Sequence, residues 1–180
     1  MISVGSKFPE FKLQSVKGQP LSEIEHNEFT EVTNDIYKGK WMTIFFYPLD
    51  FTFVCPTEIT GFNDLKQEFT NRNSVLLTAS VDSEHSHLGW RRQTESLRDL
   101  SIPMLSDFKR ELSENLGILD QSIGASQRAV FIVDDTNTVR FSMATDLSVG
   151  RNPEEVLRVL DALQTNELCP CSWQKGDAVL

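Results

Sequence analysis

The chain has 180 residues, of which 39% are hydrophobic and 24% are charged, and its formal net charge is −9. This composition is typical of one globular domain with a sizeable core. The acidic balance repels phosphate backbones and anionic headgroups, so no nucleic acid or membrane partner is expected.

The chain shows no sign of export or membrane insertion. Its first residues lack the basic and apolar segments of a secretory signal. No apolar run approaches the roughly 18–20 residues that cross a bilayer. We therefore expect a cytoplasmic protein, in which thiols stay mostly reduced and a disulfide is transient rather than structural.

Secondary-structure signals are weak at the start of the chain and strong from residue 42 onwards. Residues 8–20 are expected to form a short hairpin or extended arm, and residues 23–37 show no clear pattern. A near-continuous apolar run at 42–47 then predicts a buried strand. An amphipathic helix follows, indicated by apolar residues at three- and four-residue steps: Ile59, Phe62, Leu65 and Phe69.

The middle of the chain alternates between strand and helix patterns. Residues 75–81 predict a second buried strand, and residues 84–97 predict a polar helix. A short extended segment is expected at 102–105. Residues 109–116 predict a short helix, which Gly117 would stop.

The last third of the chain predicts a hairpin and a final helix. Residues 129–133 and 139–144 flank a polar turn, which is typical of an antiparallel pair. Asn152 and Pro153 suit the N-cap and first position of a helix. Strands that alternate with helices and end in a hairpin predict a three-layer α/β sandwich with a mixed sheet.

We expect one domain over residues 1–164 and a polar tail over 165–180. The three cysteines are Cys55 in the domain and Cys169 and Cys171 in the tail. An odd count argues against a closed disulfide framework. Zinc is disfavoured because the two tail cysteines are one residue apart and the histidines lie far from them in sequence. No other cofactor is indicated.

Cys55 is the most informative residue. It follows the predicted strand at 42–47 and precedes Pro56, which suits the first position of a helix, so Cys55 should lie at or near the N-cap. The partial positive charge of a helix N-terminus favours a thiolate, the reactive form of sulfur. The alternative is an inert buried cysteine, since Phe51 and Phe53 are close in sequence.

No local disulfide is possible at Cys55. In a C-x-x-C motif the second sulfur would stand at position 58, which is Glu58 here. Glu58 can simply complement the helix dipole as an acid in the first turn. A partner thiol must therefore come from Cys169 or Cys171, on the same subunit or on another one.

Several segments resemble the peroxiredoxins. Pro48, Thr52 and Cys55 have the spacing Pro-x-x-x-Thr-x-x-Cys of the peroxidatic-cysteine signature. Three further segments agree in the same order, at 128–134, 149–151 and 168–176. The resemblance covers nearly the whole chain. It is strongest to the typical two-cysteine class, within it to the three-cysteine form of the bacterial alkyl hydroperoxide reductase C component.

The resemblance implies a thioredoxin-like fold and a thiol peroxidase without a cofactor. Cys55 would attack a hydroperoxide and become a sulfenic acid. Thr52 would orient the peroxide, and Pro48 would shield the pocket. Arg128 would stabilise the thiolate and the leaving oxygen, and it would lie beside Cys55 if its strand runs antiparallel to the strand at 42–47.

Further roles are implied for a charge pair and for the tail. Glu58 and Arg151 would hold Arg128 in place, or form only an ordinary ion pair. Cys169 would resolve the sulfenic acid across a two-fold subunit interface. Cys171 is either a spare exposed thiol or an alternative resolving or relay thiol that passes the disulfide to the reductant.

Assembly and partners also follow from the resemblance. A homodimer would assemble into a ring, commonly a decamer. Thioredoxin, a flavoprotein or an AhpD-like C-x-x-C protein would reduce it. Two other functions remain open at this point: a thiol–disulfide carrier of thioredoxin type and a ring-forming holdase chaperone.

Overall fold

The computed structural model describes residues 1–24 and 27–180, and its main feature is a seven-stranded sheet with a separate small hairpin. The strands in chain order are β1 (Lys12–Val16), β2 (Phe29–Thr33), β3 (Trp41–Phe46), β4 (Ser74–Ser80), β5 (Met104–Ser106), β6 (Leu119–Asp120), β7 (Ala125–Ser126), β8 (Arg128–Val133) and β9 (Val139–Thr145). The order in the large sheet is β2-β1-β5-β4-β3-β8-β9. The small hairpin pairs β6 with β7.

Five α-helices are present in the described residues. They are α1 (Cys55–Asp64), α2 (Lys66–Asn71), α3 (Glu84–Gln93), α4 (Glu111–Asn115) and α5 (Pro153–Thr165). Short 3₁₀ turns lie at Leu21–Glu23, Asn34–Tyr37 and Glu95–Leu97. In the part of the chain that the structure describes, no helix has the length and apolar character needed to cross a membrane.

The sheet is mixed, as the sequence predicts. The central strands β3, β4 and β5 are parallel to one another. The pairs β3–β8 and β8–β9 are antiparallel, which confirms the predicted hairpin near the end of the chain. The pairs β1–β2 and β1–β5 are antiparallel as well.

Helices cover both faces of the sheet and complete the predicted three layers. One face packs against α1, α2, α3 and α5, and the other packs against α4 and the N-terminal segment with Phe8 and Phe11. On the first face, Phe62 stacks on Phe45 with ring centroids 4.1 Å apart. Burying a side chain of this size contributes about 1.5–3 kcal/mol, so this contact fixes α1 firmly on β3.

The beginning of the sheet differs from the sequence prediction. Of the two alternatives predicted for residues 8–20, the hairpin is wrong and the extended segment is present, because its strand β1 pairs with β2. β2 lies in the segment that shows no sequence pattern, because Val32 is its one fully buried residue while Thr30 and Glu31 are exposed. An edge strand of this kind carries too few apolar residues to be recognised.

Two predicted helices have different ends in the structure. The helix predicted through Phe69 divides at Leu65, whose amide donates to the carbonyl of Phe62, a tighter turn than the α-helix. The helix predicted over 84–97 ends at Gln93, because Thr94 is extended and a 3₁₀ turn follows. The predicted stop at Gly117 is confirmed by its positive φ of 66°.

The last helix begins as predicted. The side chain of Asn152 accepts a hydrogen bond from the backbone amide of Glu154, and Pro153 is the first helical residue. Val156 and Leu160 face the core and are fully buried.

A buried arginine fixes α3. Arg91 is fully buried and donates to five backbone carbonyl groups, those of Lys17, Gln19, Leu97, Arg98 and Leu100. Desolvation by burial lowers the pKa of Arg91 to about 10, so the side chain stays charged at neutral pH. These bonds tie α3 to the loops after β1 and before β5, so α3 is rigidly placed.

Candidate active site

Cys55 is the first residue of α1, at the carboxyl end of β3. The N-cap is Val54, which makes no side-chain cap, so the predicted position of Cys55 at or near the cap is confirmed to within one residue. The thiol is fully buried. The partial positive charge of the helix N-terminus therefore acts on the sulfur without competition from water.

Arg128 reaches Cys55 from the neighbouring strand. β8 runs antiparallel to β3, as expected, and this brings its first residue to the end of β3 that leads to Cys55. The Arg128 Nη1 donates to Cys55 Sγ at 3.4 Å, and Nε donates to the carbonyl of Leu147 at 2.7 Å. The guanidinium is therefore fixed at two points with one edge against the sulfur.

Glu58 lies one helical turn after Cys55, on the same face of α1. Its Oε2 accepts from Arg128 Nη1 at 2.6 Å and from Arg151 Nη2 at 2.9 Å. Its Oε1 accepts from Arg151 Nε at 2.7 Å and from the Arg151 backbone amide at 2.9 Å. Burial acts to raise the pKa of Glu58, but the hydrogen bonds and charge of Arg151, with the charge of Arg128, lower it overall.

Arg151 is the second cation on Glu58, and its side chain is fully buried. Its Nη1 donates to the carbonyl of Ala129 at 2.7 Å, and its guanidinium lies 5.6 Å from the centre of the Phe45 ring. Burial lowers the pKa of Arg151, which Glu58 partly offsets. Two guanidinium groups and one carboxylate leave one positive charge beside Cys55.

The loop of residues 48–54 (loop 48–54) carries the other two predicted residues. Pro48 is buried directly after the strand, and Thr52 is half-buried. The Thr52 hydroxyl donates to the carbonyl of Leu49 at 2.9 Å, which leaves its lone pairs free to accept a hydrogen bond. Between them, Phe51 has a φ of 56°, a left-handed conformation that few residues other than glycine adopt.

The tail cysteines lie away from this site within one chain. Arg151 precedes α5 and Cys169 follows it, and the 13 residues of α5 span about 20 Å. The Cys169 Sγ lies 3.4 Å from the Thr165 hydroxyl, and Cys171 is exposed. All three cysteines are free thiols.

Comparison with known proteins identifies the family of this chain. The AhpC/TSA family model matches residues 4–142. The chain is 48% identical over 184 residues to the alkyl hydroperoxide reductase C of Mycobacterium tuberculosis, covering 100% of this chain and 94% of that protein. The chain belongs to the AhpC/TSA family of peroxiredoxins.

Solved peroxiredoxin structures share the fold. AhpC of Mycobacterium bovis has a TM-score of 0.89 at 47% identity and covers 97% of this chain and 99% of its own. A reduced 2-Cys peroxiredoxin of Plasmodium vivax has a TM-score of 0.90 at 34% identity, and the match covers 98% of this chain and 91% of that one. The predicted thioredoxin-like fold is thereby confirmed, and this peroxiredoxin is a thiol peroxidase.

Sequence reasoning overlooked one charged residue of this peroxiredoxin's loop 48–54. Asp50 lies between Pro48 and Thr52, and only 1% of its side chain is exposed. A buried aspartate needs hydrogen-bond donors, and its position within an otherwise apolar stretch was the available signal. Its partner His87 is 37 residues further along the chain, and sequence spacing gave no way to find it.

Proposed function

We propose that Cys55 is the peroxidatic residue and that it reduces hydrogen peroxide and organic hydroperoxides. The thiolate sulfur attacks one oxygen of the O–O bond, forming an S–O bond as the O–O bond breaks. The other oxygen leaves with the electron pair and takes up a proton to become water or an alcohol. Cys55 becomes a sulfenic acid. The 3.4 Å contact of Arg128 Nη1 with the sulfur is the observation that carries this proposal.

Arg128 would stabilise negative charge before and during the attack. Its Nη1 is shared between Cys55 Sγ and Glu58 Oε2, and it is held there by Leu147 and Glu58. In a buried site such a fixed cation is worth far more than in water, because it needs no reorganisation as charge moves. Glu58 and Arg151 would position Arg128 and take no direct part in the chemistry.

Thr52 and Pro48 would shape the peroxide pocket. The free lone pairs of the Thr52 hydroxyl can accept a hydrogen bond from the peroxide and aim its O–O bond at Cys55. Pro48 has no backbone amide to compete for the substrate. Its burial at the end of β3 would keep water out of the pocket.

Single-turnover measurements without a reductant test the assignment of Cys55. Hydroperoxide is mixed with reduced protein, its loss is followed, and the sulfenic acid is trapped and located by mass spectrometry. We expect one equivalent to be consumed by the wild type and by Cys171→Ser, the matched control, and none by Cys55→Ser. Rapid consumption by Cys55→Ser would refute the role.

Cys169 would resolve the sulfenic acid of the partner subunit's Cys55 as a disulfide. Disulfide geometry needs Cα atoms about 4.4–6.8 Å apart, whereas α5 alone separates the two sites of one chain by about 20 Å. A second subunit can supply the thiol without refolding α5. We therefore propose that residues 1–164 form the peroxidase domain and residues 165–180 form a tail that delivers Cys169.

Non-reducing electrophoresis tests this resolution step. Peroxide should convert the wild type into a covalent dimer that reductant dissolves, and Cys169→Ser should stay monomeric. Cys171→Ser should behave as the wild type if Cys171 is a spare thiol, or should form the dimer yet recycle slowly if Cys171 relays the disulfide. A peroxide-treated wild type that remains monomeric would argue against an intersubunit disulfide.

Exposed apolar side chains support self-association. Phe53 is 94% exposed, and Phe51, Phe108 and Ile123 are each at least half exposed. Large exposed apolar side chains of this kind mark interaction surfaces. We propose that dimers assemble through them into a ring, with a decamer as the expected size. Sedimentation of the reduced wild type and of Phe53→Ser would measure the size of the assembly and whether Phe53 contributes to it.

The reductant we propose is thioredoxin or an AhpD-like C-x-x-C protein in the cytoplasm. The carrier function considered above is disfavoured, because Glu58 occupies the place of a second local cysteine and is fully engaged with two arginines. Consumption of NADPH in coupled assays with each reductant and cumene hydroperoxide would identify the partner.

A further inference from the structure

A second polar cluster, largely buried, surrounds Asp50 of loop 48–54. It consists of Tyr47, Asp50, Asp82, Ser86 and His87, and we call it the Asp50 cluster. The Asp50 carboxylate accepts from the Tyr47 hydroxyl at 2.8 Å and the Ser86 hydroxyl at 2.9 Å, and it contacts His87 Nδ1 at 2.8 Å. Tyr47 and His87 are fully buried. Nothing in the proposed chemistry uses these groups.

His87 is hydrogen-bonded through both of its ring nitrogens. Its Nε2 is 3.1 Å from the carbonyl oxygen of Leu105 in β5, which can only accept, so Nε2 carries a hydrogen. Its Nδ1 is 2.8 Å from Asp50 Oδ2, and this contact is attractive only with a hydrogen between the two atoms. His87 therefore bridges loop 48–54 to β5 through two hydrogen bonds.

The Asp50 backbone is fixed as well. Its amide donates at 2.9 Å to Asp82 Oδ2, which also accepts from the Ser80 hydroxyl at 2.9 Å. Burial, with the charge of Asp50, raises the pKa of Asp82. Both the backbone and the side chain of Asp50 are therefore anchored to groups outside the loop.

The anchors themselves are rigid. His87 lies on α3, which Arg91 holds through five carbonyl groups, and Asp82 lies two residues after the end of β4. Phe51 packs against Trp90 of α3 with ring centroids 6.0 Å apart, and Asp50 attaches loop 48–54 to α3 and to the segment after β4. Phe51, next to that residue, has a φ of 56° and would leave this conformation if the attachment were lost.

We propose that Asp50 and His87 are positioning residues for peroxide reduction. They hold loop 48–54 so that Thr52, two residues after Asp50, faces a peroxide at Cys55. This inference rests on the roles proposed above for Cys55 and Thr52. Neither Asp50 nor His87 contacts the sulfur, so they act on the orientation of the O–O bond rather than on the nucleophile.

Comparing the rates of two reactions of Cys55, with hydroperoxide and with iodoacetamide, distinguishes a positioning role from a loss of stability. Attack on hydroperoxide needs an oriented O–O bond, whereas alkylation by iodoacetamide depends on the thiolate and its access but not on Thr52. Both rates are measured on protein shown to be folded by circular dichroism. In Asp50→Asn the peroxide-to-alkylation ratio should fall about tenfold or more, since an error of about 1 Å in placement can cost that much.

Two isosteric variants of His87 sharpen the test. In His87→Asn the amide nitrogen replaces Nδ1 and keeps the hydrogen bond to Asp50. In His87→Gln it replaces Nε2 and keeps only the bond to Leu105. We expect His87→Asn to retain the wild-type ratio within about threefold and His87→Gln to lose about tenfold. His85→Gln, at an exposed position of the same helix, is the matched control and should match the wild type.

The outcomes decide the proposal in either direction. An unchanged ratio in Asp50→Asn, or equal ratios in His87→Asn and His87→Gln, would overturn it. If Asp50→Asn does not fold, the His87 pair decides alone. A wild-type Cys55 that is alkylated but never oxidised by hydroperoxide would instead remove the proposed function, and this inference with it, before any variant is compared.

Discussion

The surroundings of Cys55 and Cys169 differ in almost every physical respect. Cys55 is fully buried beside Arg128, whose position depends on β8, α1 and the segment before α5. Cys169 is half-buried, and its sulfur lies within hydrogen-bond distance of the Thr165 hydroxyl and the carbonyl of Ala162, both near the end of α5. The whole fold is needed to build the first environment, whereas the second needs only the end of one helix.

The tail that carries Cys169 is held by a few contacts to α5. The Arg158 side chain donates to the carbonyl of Trp173 at 2.8 Å, Trp173 is 5% exposed, and Lys175 lies 3.3 Å from Asp161. A segment with so few anchors opens at low free-energy cost. The difference is consistent with the proposed functions, in which the preformed site would react with peroxide and the tail would supply the second thiol.

Removing Glu58 should have the largest effect, because it damages the preformed site at its centre. Glu58→Gln leaves the buried Arg151 without a counter-charge, and breaking a buried pair in this way typically costs about 3–5 kcal/mol. Urea unfolding measures the loss. The half-exposed Glu68, which pairs with Arg72, is the control: Arg72 keeps Asp161 as a second counter-charge, so Glu68→Gln should cost less than about 1 kcal/mol. Equal losses in the two variants would show that the network does not hold the site.

Arg128 tests the chemistry of the same site. Arg128→Ala should slow peroxide attack by about 10²–10³, the usual effect of removing one fixed donor from developing charge. Arg128→Lys keeps the charge but cannot bridge Cys55, Glu58 and Leu147 together, so it should recover only part of the rate. Rapid-mixing kinetics measure this. Arg140→Ala, on the edge strand β9, is the control and should react with peroxide as fast as the wild type. An unchanged rate in Arg128→Ala would exclude Arg128 from the site.

At acid pH, the free energy of unfolding should depend on the protonation of Glu58. Its pKa is lower in the folded chain than its ordinary value of about 4.3. The stabilisation is therefore present above that value and is lost as pH falls through the folded pKa. The difference in free energy of unfolding between the wild type and Glu58→Gln should therefore become smaller below about pH 4. Its total decrease should be about 1.4 kcal/mol for each unit by which the pKa of Glu58 differs between the folded and unfolded chain. A gap that stays constant in urea unfolding from about pH 6 to about pH 3 would contradict this.

The tail should respond most weakly, and only locally. Trp173→Ala removes the side chain that seats the tail on α5, so proteolysis after residue 165 should become about fivefold faster. The free energy of unfolding of the domain should change by less than about 1 kcal/mol, because the tail opens separately. Gln174→Ala, at an exposed neighbouring position, is the control. If Trp173→Ala destabilises the whole chain, the tail is not a separate unit.

The sequence predicts the parts of this site that depend on local patterns. The apolar run before Cys55 and the proline after it predict a strand followed by a helix start, and the polar turn after residue 133 predicts the antiparallel pair of β8 with β9. These signals are local, so a single sequence suffices to read them.

The rest depends on contacts between distant residues. The partner of β1 lies in the poorly patterned β2, and the bond between Asp50 and His87 joins residues 37 positions apart. The break at Leu65 comes from packing two short helices on one sheet face, which overrides the continuous apolar spacing through Phe69. Tertiary packing decides such features, and periodicity alone does not encode them.

The two arginines that share Glu58 also bear on the redox balance of the enzyme. When Cys55 is a thiolate, its charge offsets the surplus cation and the buried site is neutral. The proposed oxidation to a disulfide would remove that anion and leave an uncompensated cation in a medium of low polarizability. We therefore expect the folded site to be less stable when Cys55 is oxidised than when it is a thiolate. The disulfide would then be a stronger oxidant towards its reductant. The first turn of α1 would unfold more easily until the thiol is restored.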